Sequence, residues 1–222
     1  MDQATIAQWD PASHYRDPKI AREYETARFH SFGGSRGNQR EIRGLLRALE
    51  YVPALHTALD APAGTGRITR VLLERGLQVT GADISLEMLD EARQNLNGYG
   101  SRLSLLQADL RKLPFPDDSF DAVTCVRLFG HFPSERRVDM LREMRRVARS
   151  RVIVMYFYMT RLIRLKRWVK RNMLHTYEGV VHPTTKATAL REIRESGLRA
   201  EAVFYVRRYY SEEIYVVGAK SN

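Results

Sequence analysis

Two glycines and two aspartates define the chemistry this chain could support. Gly64 and Gly66 lie in ALDAPAGTGRIT, where a short apolar run passes into a helical pattern. Glycine at such a junction permits a tight turn and lets the backbone approach a ligand closely. The N–H groups that open the following helix point at the same place and favour an anionic or polar group there. Asp83 ends the next apolar run, in QVTGADIS. An acidic side chain at that position can accept hydrogen bonds from both hydroxyls of a ribose. Each signal has a plainer reading: a G-x-G can be an ordinary glycine turn, and an Asp before Ser can be a helix cap. Taken together they favour an adenosine-containing ligand. The third glycine of a dinucleotide loop is replaced by Thr69, and the Gly-Lys-Ser/Thr of a triphosphate loop is absent. An adenosine ligand without a pyrophosphate remains.

The elements that must position these residues follow a regular alternation. Apolar runs at Ala58–Ala61, Leu77–Ala82, Leu103–Gln107, Asp121–Val126 and Arg151–Phe157 read as buried strands. Helical patterns separate them at Ile68–Arg75, Leu86–Leu96 and Glu135–Ala148. That order predicts an α/β fold with a mostly parallel sheet covered by helices on both faces. After a helix at Lys186–Ser196 come two more strand-like runs, Ala200–Arg207 and Glu213–Ala219. Their short connection predicts a hairpin and hence an antiparallel last strand. Upstream, Pro18 and KIAREYETARF read as one helix. SFGGSRGN interrupts, and a second helix spans Gln39–Leu49. The organisation expected is one structural domain: an N-terminal helical cap over the site at 1–54, and a core at 55–222.

The motifs, in order, resemble those of class I S-adenosylmethionine-dependent methyltransferases. ALDAPAGTGRIT is similar to the family's first motif, Asp-x-Gly-x-Gly-x-Gly. VTGADISLEMLDEAR resembles its second-strand motif, LLQADLRKLPFPDDSFDAVTC its third- and fourth-strand region, and MLREMRRVARSRVIVMYFY its following helix and fifth strand. The subgroup most similar is the small-molecule and lipid methyltransferases that carry the LPFPDDSFD stretch. The resemblance implies a Rossmann-like seven-stranded sheet, S-adenosylmethionine as cofactor and S-adenosylhomocysteine as product. It implies a cofactor site of Asp60, Ala61, Ala63, Gly64, Gly66, Asp83, Ile84, Met88, Asp109, Leu110 and Cys125. In it Asp83 meets the ribose, Ile84 and Met88 flank the adenine, and Asp109 accepts from the adenine amino group. Two departures stand out. Pro62 occupies the place of the first glycine, with a fixed φ and no N–H. The Pro-Gly-Gly turn between the helix and the fifth strand is missing.

The acceptor side of this family lies above the fourth and fifth strand ends, under the N-terminal helices. There the chain reads CVRLFGHFP. His131, the only imidazole near that edge in sequence, is a candidate general base or acceptor-orienting group; the alternative is packing beside Phe132 and Pro133. Arg127 could pair with an acidic acceptor or the cofactor carboxylate, or sit in a surface ion pair. Tyr15 and Tyr24 could close the site or simply pack. Cys125 is expected to touch the cofactor rather than act as a nucleophile.

Composition narrows the partners. Hydrophobic residues make up 44% of 222, enough for a continuous core, and no stretch is long and apolar enough to span a bilayer. The N-terminal sequence lacks the pattern of a secretory signal, and one cysteine supports neither a disulfide nor a cysteine-built metal site, so no metal and a cytoplasmic location are expected. The net charge of +10 attracts anionic partners. Six of those charges fall in RLIRLKRWVKR, Arg161–Arg171, within an insert at 158–182. On a helical wheel Leu162, Leu165, Trp168, Val169 and Met173 share one arc, and most of the basic residues the other. Such a helix packs on a domain by its apolar face, lies on an anionic membrane, or tracks nucleic-acid phosphates. The apolar arc favours a lipid or lipid-linked glycan acceptor, and peripheral contact with the inner face of a membrane, over RNA. Two functional readings stand: an active methyltransferase on a small-molecule, lipid or lipid-linked acceptor, and a regulatory, protein-partner-binding protein on the same fold.

Overall fold

The computed structural model describes residues 32–159, 182–206 and 213–220. The helix at KIAREYETARF, Tyr15, Tyr24 and the basic helix at Arg161–Arg171 lie outside the described residues.

Seven strands form one sheet. They are β1 (Thr57–Asp60), β2 (Gln78–Asp83), β3 (Leu103–Gln107), β4 (Phe120–Cys125), β5 (Ala148–Phe157), β6 (Leu198–Tyr205) and β7 (Glu213–Lys220). The order is β3-β2-β1-β4-β5-β7-β6. Pairing is parallel from β3 to β5, and β7 runs antiparallel to both β5 and β6. The expected fold class and antiparallel last strand are therefore present. The order reverses between β1 and β4, and a crevice opens at the carboxyl ends of strands where this happens.

The helices are α1 (Phe32–Leu49), α2 (Arg67–Glu74), α3 (Leu86–Asn95), α4 (Ser134–Val147) and α5 (Lys186–Glu195). Alternation along the strands assigns them to layers. In β5, Val152, Val154 and Tyr156 face a cluster with Met140, Leu141 and Met144 of α4 and Ala189 and Ile193 of α5. The intervening Ile153, Met155 and Phe157 face Leu45 and Ala48 of α1, Leu72 and Leu73 of α2 and Ala92 of α3. A strand buried on both faces is mostly apolar, which is why the end of β5 reads as a continuous run; in FDAVTC the polar Asp121 and Thr124 are buried with hydrogen-bond partners.

Two boundaries differ from the sequence reading. The helix expected from Gln39 begins at Phe32 and passes through the glycines. Glycine lowers helix stability by about 1 kcal/mol without forbidding the conformation, and packing of Leu45, Ala48 and Leu49 on the sheet overrides it. No loop separates α4 from β5. Ala148 already has extended angles, φ −78° and ψ 134°, and the strand starts there rather than at Arg151. The missing Pro-Gly-Gly turn is replaced by an irregularity in pairing. Phe120 faces Ala148 but Ala122 faces Arg151, so β5 carries one extra residue, and the Ser150 hydroxyl donates to the Asp121 carbonyl at 2.7 Å. Among the described residues no helix is long and apolar enough to cross a membrane.

Gly81, inside β2, is where the loop after β1 presses onto the sheet. A Cβ there would lie 2.6 Å from Leu105 Cδ2 and 3.1 Å from Ala63 Cβ. We expect Gly81→Ala to lower stability by roughly 1–3 kcal/mol through overpacking, read as a shifted urea midpoint. A midpoint equal to wild type would show that the loop is not held against β2.

Candidate active site

The loop between β1 and α2 bridges the switch point by continuing the ladders on both sides. Ala61 N–H donates to the Thr124 carbonyl on β4 at 3.0 Å, and Ala63 N–H donates to the Ala82 carbonyl on β2 at 2.9 Å. Pro62 sits between these two donors, at the one position where an N–H is not used, and the Ala61–Pro62 bond is cis. Gly64 follows with φ +54° and Gly66 with φ +89°, both in the left-handed region that favours glycine. The two serve different ends. A Cβ on Gly64 would meet nothing, whereas one on Gly66 would lie 2.7 Å from Leu96. Gly66 is thus a close-packing position against the end of α3, away from the cleft.

Asp83, at the end of β2, holds this loop. Its carboxylate accepts from Gly64 N–H at 2.8 Å and from Ser85 N–H at 3.0 Å. The cap of α3 is Ser85, whose hydroxyl accepts from Met88 N–H at 3.1 Å, so Asp83 is not a simple helix cap. Burial pushes the Asp83 carboxyl up, while the amides of Ser85, Gly64 and Ile84 pull it back. A carboxylate offers about four lone-pair directions. The amides of Gly64, Ser85 and Ile84 take most of these, and the remainder is acceptor capacity for a ligand hydroxyl.

A cleft of about 540 Å³, open to solvent, lies at this carboxyl edge. Its lining includes Ala61, Pro62, Asp83, Ile84, Asp109 and Leu110 from the ends of β1, β2 and β3, together with Leu128, Phe132 and Met140 from the segment after β4. An adenosyl group fits this donor set: apolar walls for a ring, Asp83 for hydroxyls, Asp109 for an amino group. Asp109 is already engaged. Arg111 donates to it from its backbone N–H at 2.8 Å and from its guanidinium at 2.5–3.0 Å. Those guanidinium bonds hold the Asp109 carboxyl below its ordinary value. Asp60 faces inward: both its oxygens accept from threonine hydroxyls, Thr69 at 2.7 Å and Thr124 at 3.0 Å.

The exit of β4 carries the remaining candidates. Arg127 has φ +63° and turns to α1, where it pairs with Glu41 at 2.7 Å and with Glu213 of β7 at 3.5 Å. Glu41 is fully buried and also pairs with Arg67, the first residue of α2. Cys125 is fully buried in the core, and burial pushes its thiol well up, which removes thiolate chemistry at neutral pH. His131 closes a 3-10 turn, Phe129–His131, beside the cleft-lining Phe132. It is not alone there. His182 N–H donates to the Gly130 carbonyl at 2.9 Å, which brings a second imidazole to that edge from 51 residues downstream. Burial first, and then the Arg137 guanidinium, hold His182 below the ordinary histidine value.

Comparison with known proteins agrees with this geometry. The profile of the family described as "Methyltransferase domain" matches residues 58–151. The chain is 31% identical over 176 residues to the ubiquinone/menaquinone biosynthesis C-methyltransferase UbiE of Pseudomonas syringae pv. tomato, covering 70% of this chain and 68% of that one. The chain belongs to the class I S-adenosylmethionine-dependent methyltransferases. It is 39% identical over 117 residues to the demethylmenaquinone methyltransferase of Thermus thermophilus, covering 51% of each. The chain therefore spans about half the length of several of the curated relatives it matches. Among solved structures, magnesium protoporphyrin IX methyltransferase from Synechocystis, with bound SAH, superposes with a TM-score of 0.75 at 18% identity, covering 99% of this chain and all of that one. That likeness shows the fold.

In this member of the family, the cleft gathers five of the residues expected from sequence: Ala61, Asp83, Ile84, Asp109 and Leu110. Ala63 and Gly64 stand behind it in the loop. Asp60, Gly66, Met88 and Cys125 sit in the packing that supports it, and Arg127 turns to Glu41 on the α1 side of the sheet. Sequence reasoning missed Arg111, Leu128, Phe132, Met140, Glu41 and His182. Only Arg111 carried a local signal, two residues after an acid. Gly81 was also legible, since glycine inside a strand marks a close backbone approach.

Asp60 gives this support a pH signature. Burial pushes its carboxyl from 3.8 to about 7, against the pull of Thr69 and Thr124. The folded chain then keeps a proton that the unfolded chain releases. Its stabilising contribution is complete below about pH 4 and is lost as pH rises to 7, on the order of a few kcal/mol. Asp60→Asn should flatten the dependence of the urea midpoint on pH between 4 and 7. An unchanged slope would mean that Asp60 is ionised in the folded protein throughout.

Proposed function

We propose that this chain transfers the methyl group of S-adenosylmethionine to an apolar, ring-containing small molecule such as a quinol, releasing S-adenosylhomocysteine. The observation that carries the reading is the cleft at the strand-order switch, lined by Asp83 and Asp109 together with the apolar Leu128, Phe132 and Met140. Family membership and the names of the quinone methyltransferases to which the chain is similar support it. Bound there, the cofactor supplies a methyl group already activated on a sulfonium. The work left to the protein is to hold two reactants in line, which contributes roughly 7–11 kcal/mol in good cases.

In this reading Asp83 accepts from the ribose hydroxyls, with Ala61 and Pro62 beneath the sugar. Ile84 and Leu110 sandwich the base and Asp109 accepts from its amino group, sharing its oxygens with Arg111. The Ala63–Gly64 turn lies against the amino-acid end, while Arg127 stays paired with Glu41 and Glu213 and braces the exit of β4. His131 faces the acceptor. As a general base it would add about 10²–10⁴-fold for an acceptor that must lose a proton. The charge of Arg161–Arg171 adds a peripheral contact with anionic membrane, which would bring a lipid-soluble acceptor near the cleft. A protein partner is compatible with the same surface.

Calorimetry with S-adenosylhomocysteine tests the cofactor, and labelled-methyl transfer to demethylmenaquinol in detergent tests the acceptor. Asp83→Ala should weaken S-adenosylhomocysteine roughly 10–150-fold, the loss expected for hydrogen bonds to a charged group at about 1.5–3 kcal/mol. Unchanged affinity in the folded variant would remove Asp83 from the site. NADH binding without S-adenosylhomocysteine binding would overturn the cofactor. For the membrane contact, reversing Lys166, Arg167, Lys170 and Arg171 should abolish co-sedimentation with anionic vesicles and leave S-adenosylhomocysteine affinity intact. Wild-type protein that ignores vesicles but binds RNA with a steep salt dependence would replace that contact with a nucleic-acid one.

A further inference from the structure

The geometry points to Arg137 as the positioning residue of the acceptor wall, acting through the main chain of the turn that carries His131 and Phe132. The inference builds on the methyl-transfer reading above. Arg137 lies on α4 and is 4% exposed; Glu192, on α5, is fully buried. Their pairing is a two-armed fork, Nε to Oε2 at 3.0 Å and Nη2 to Oε1 at 2.6 Å, and the Ser134 hydroxyl adds a bond to Oε1 at 2.6 Å. The fork leaves Nη1 aimed away from the carboxylate. It donates to the carbonyls of Phe132 at 3.0 Å, His182 at 3.1 Å and Phe129 at 3.5 Å.

Stability alone does not call for this arrangement. A buried ion pair loses hydration that its Coulomb attraction only partly returns, and apolar residues of similar volume commonly serve as well or better. What apolar residues cannot do is donate to carbonyls. Within the 3-10 turn the Phe129 carbonyl accepts from the Phe132 N–H at 3.3 Å, and the Phe132 carbonyl lies past the end of the turn. Nη1 of Arg137 donates to the carbonyls of Phe132 and His182 and reaches that of Phe129, so it joins two segments separated by half a hundred residues. The second segment is fixed to the sheet as well: Thr184 N–H donates to the Phe157 carbonyl at 2.8 Å, and Met159 N–H to the Thr184 carbonyl at 2.9 Å. The place of Phe132 in the cleft wall, and of His131 beside it, is thereby referred to the end of β5 through this guanidinium together with the His182 N–H bond to the Gly130 carbonyl.

The test replaces the pair by apolar residues, Arg137→Met with Glu192→Leu, in the full chain. The fold should survive, because the buried charges leave together. The His131 ring signals in carbon-13 histidine spectra, assigned with His131→Gln, should move. S-adenosylhomocysteine affinity should not change. With demethylmenaquinol as acceptor, kcat/KM should fall about 10²-fold, as a displacement near 1 Å can produce, with KM for S-adenosylmethionine unaltered. His131 signals identical to wild type in the folded double variant would overturn the inference, as would a parallel loss of cofactor affinity. Should the double variant fail to fold, Arg137→Lys keeps the charge but cannot make the fork and reach the carbonyls together. His131 signals that stay in place there overturn the inference, and shifted ones support it. A wild-type chain that binds no S-adenosylhomocysteine would sink the methyl-transfer reading alone, since the ring signals report on Arg137 without cofactor.

Discussion

Everything at the carboxyl edge depends on how the main chain at Ala63 and Gly64 is held over β2. One carboxylate, Asp83, takes the Gly64 and Ser85 amides, and so joins the turn after β1 to the turn that starts α3. Hydrogen bonds to a charged acceptor are roughly twice as strong as neutral ones, and this acceptor is nearly removed from water. Beneath it the ladder contacts of Ala61 and Ala63 keep β1 equidistant from β4 and β2 past the last paired residues. The loop is therefore part of the sheet rather than an excursion from it. That explains why proline is accepted at position 62: the two flanking residues donate, and the one between is asked for nothing.

The exits of β4 are fixed on both faces of the sheet by arginines paired with fully buried glutamates. On one face Arg127 and Arg67 converge on Glu41 of α1, tying the helix that follows the glycine turn to the first residues beyond β4. On the other, Arg137 and Glu192 tie α4 and α5 to the 3-10 turn. An isolated buried carboxylate or guanidinium would be costly, so neither member of these pairs can be lost singly without leaving a charge in the core. The planar, always-charged guanidinium suits the task, because it can satisfy a carboxylate with one edge and carbonyls with the other. The cleft wall inherits its rigidity from these side chains.

Sequence by itself determined the fold class, because the period of burial is local. A strand that is covered on both faces is mostly apolar, and the runs in FDAVTC and VIVMYF read as strands between helical patterns. Gly64 and Asp83 were legible because one lies in the turn after β1 and the other ends β2, and strand ends converge on one edge; Asp109, two residues past β3, was legible through its motif. Tertiary structure alone decided the rest. The start of α1 at Phe32 was set by packing that outweighs glycine's helix cost, a contest a local reading settles the wrong way. The partners of Arg127 and Arg137 lie 86 and 55 residues away along the chain, and His182 reaches Gly130 only through the crossover back to the sheet. Charges and imidazoles act over a few ångströms in space, and nothing in residue type or spacing records which distant segment the chain will bring within that reach.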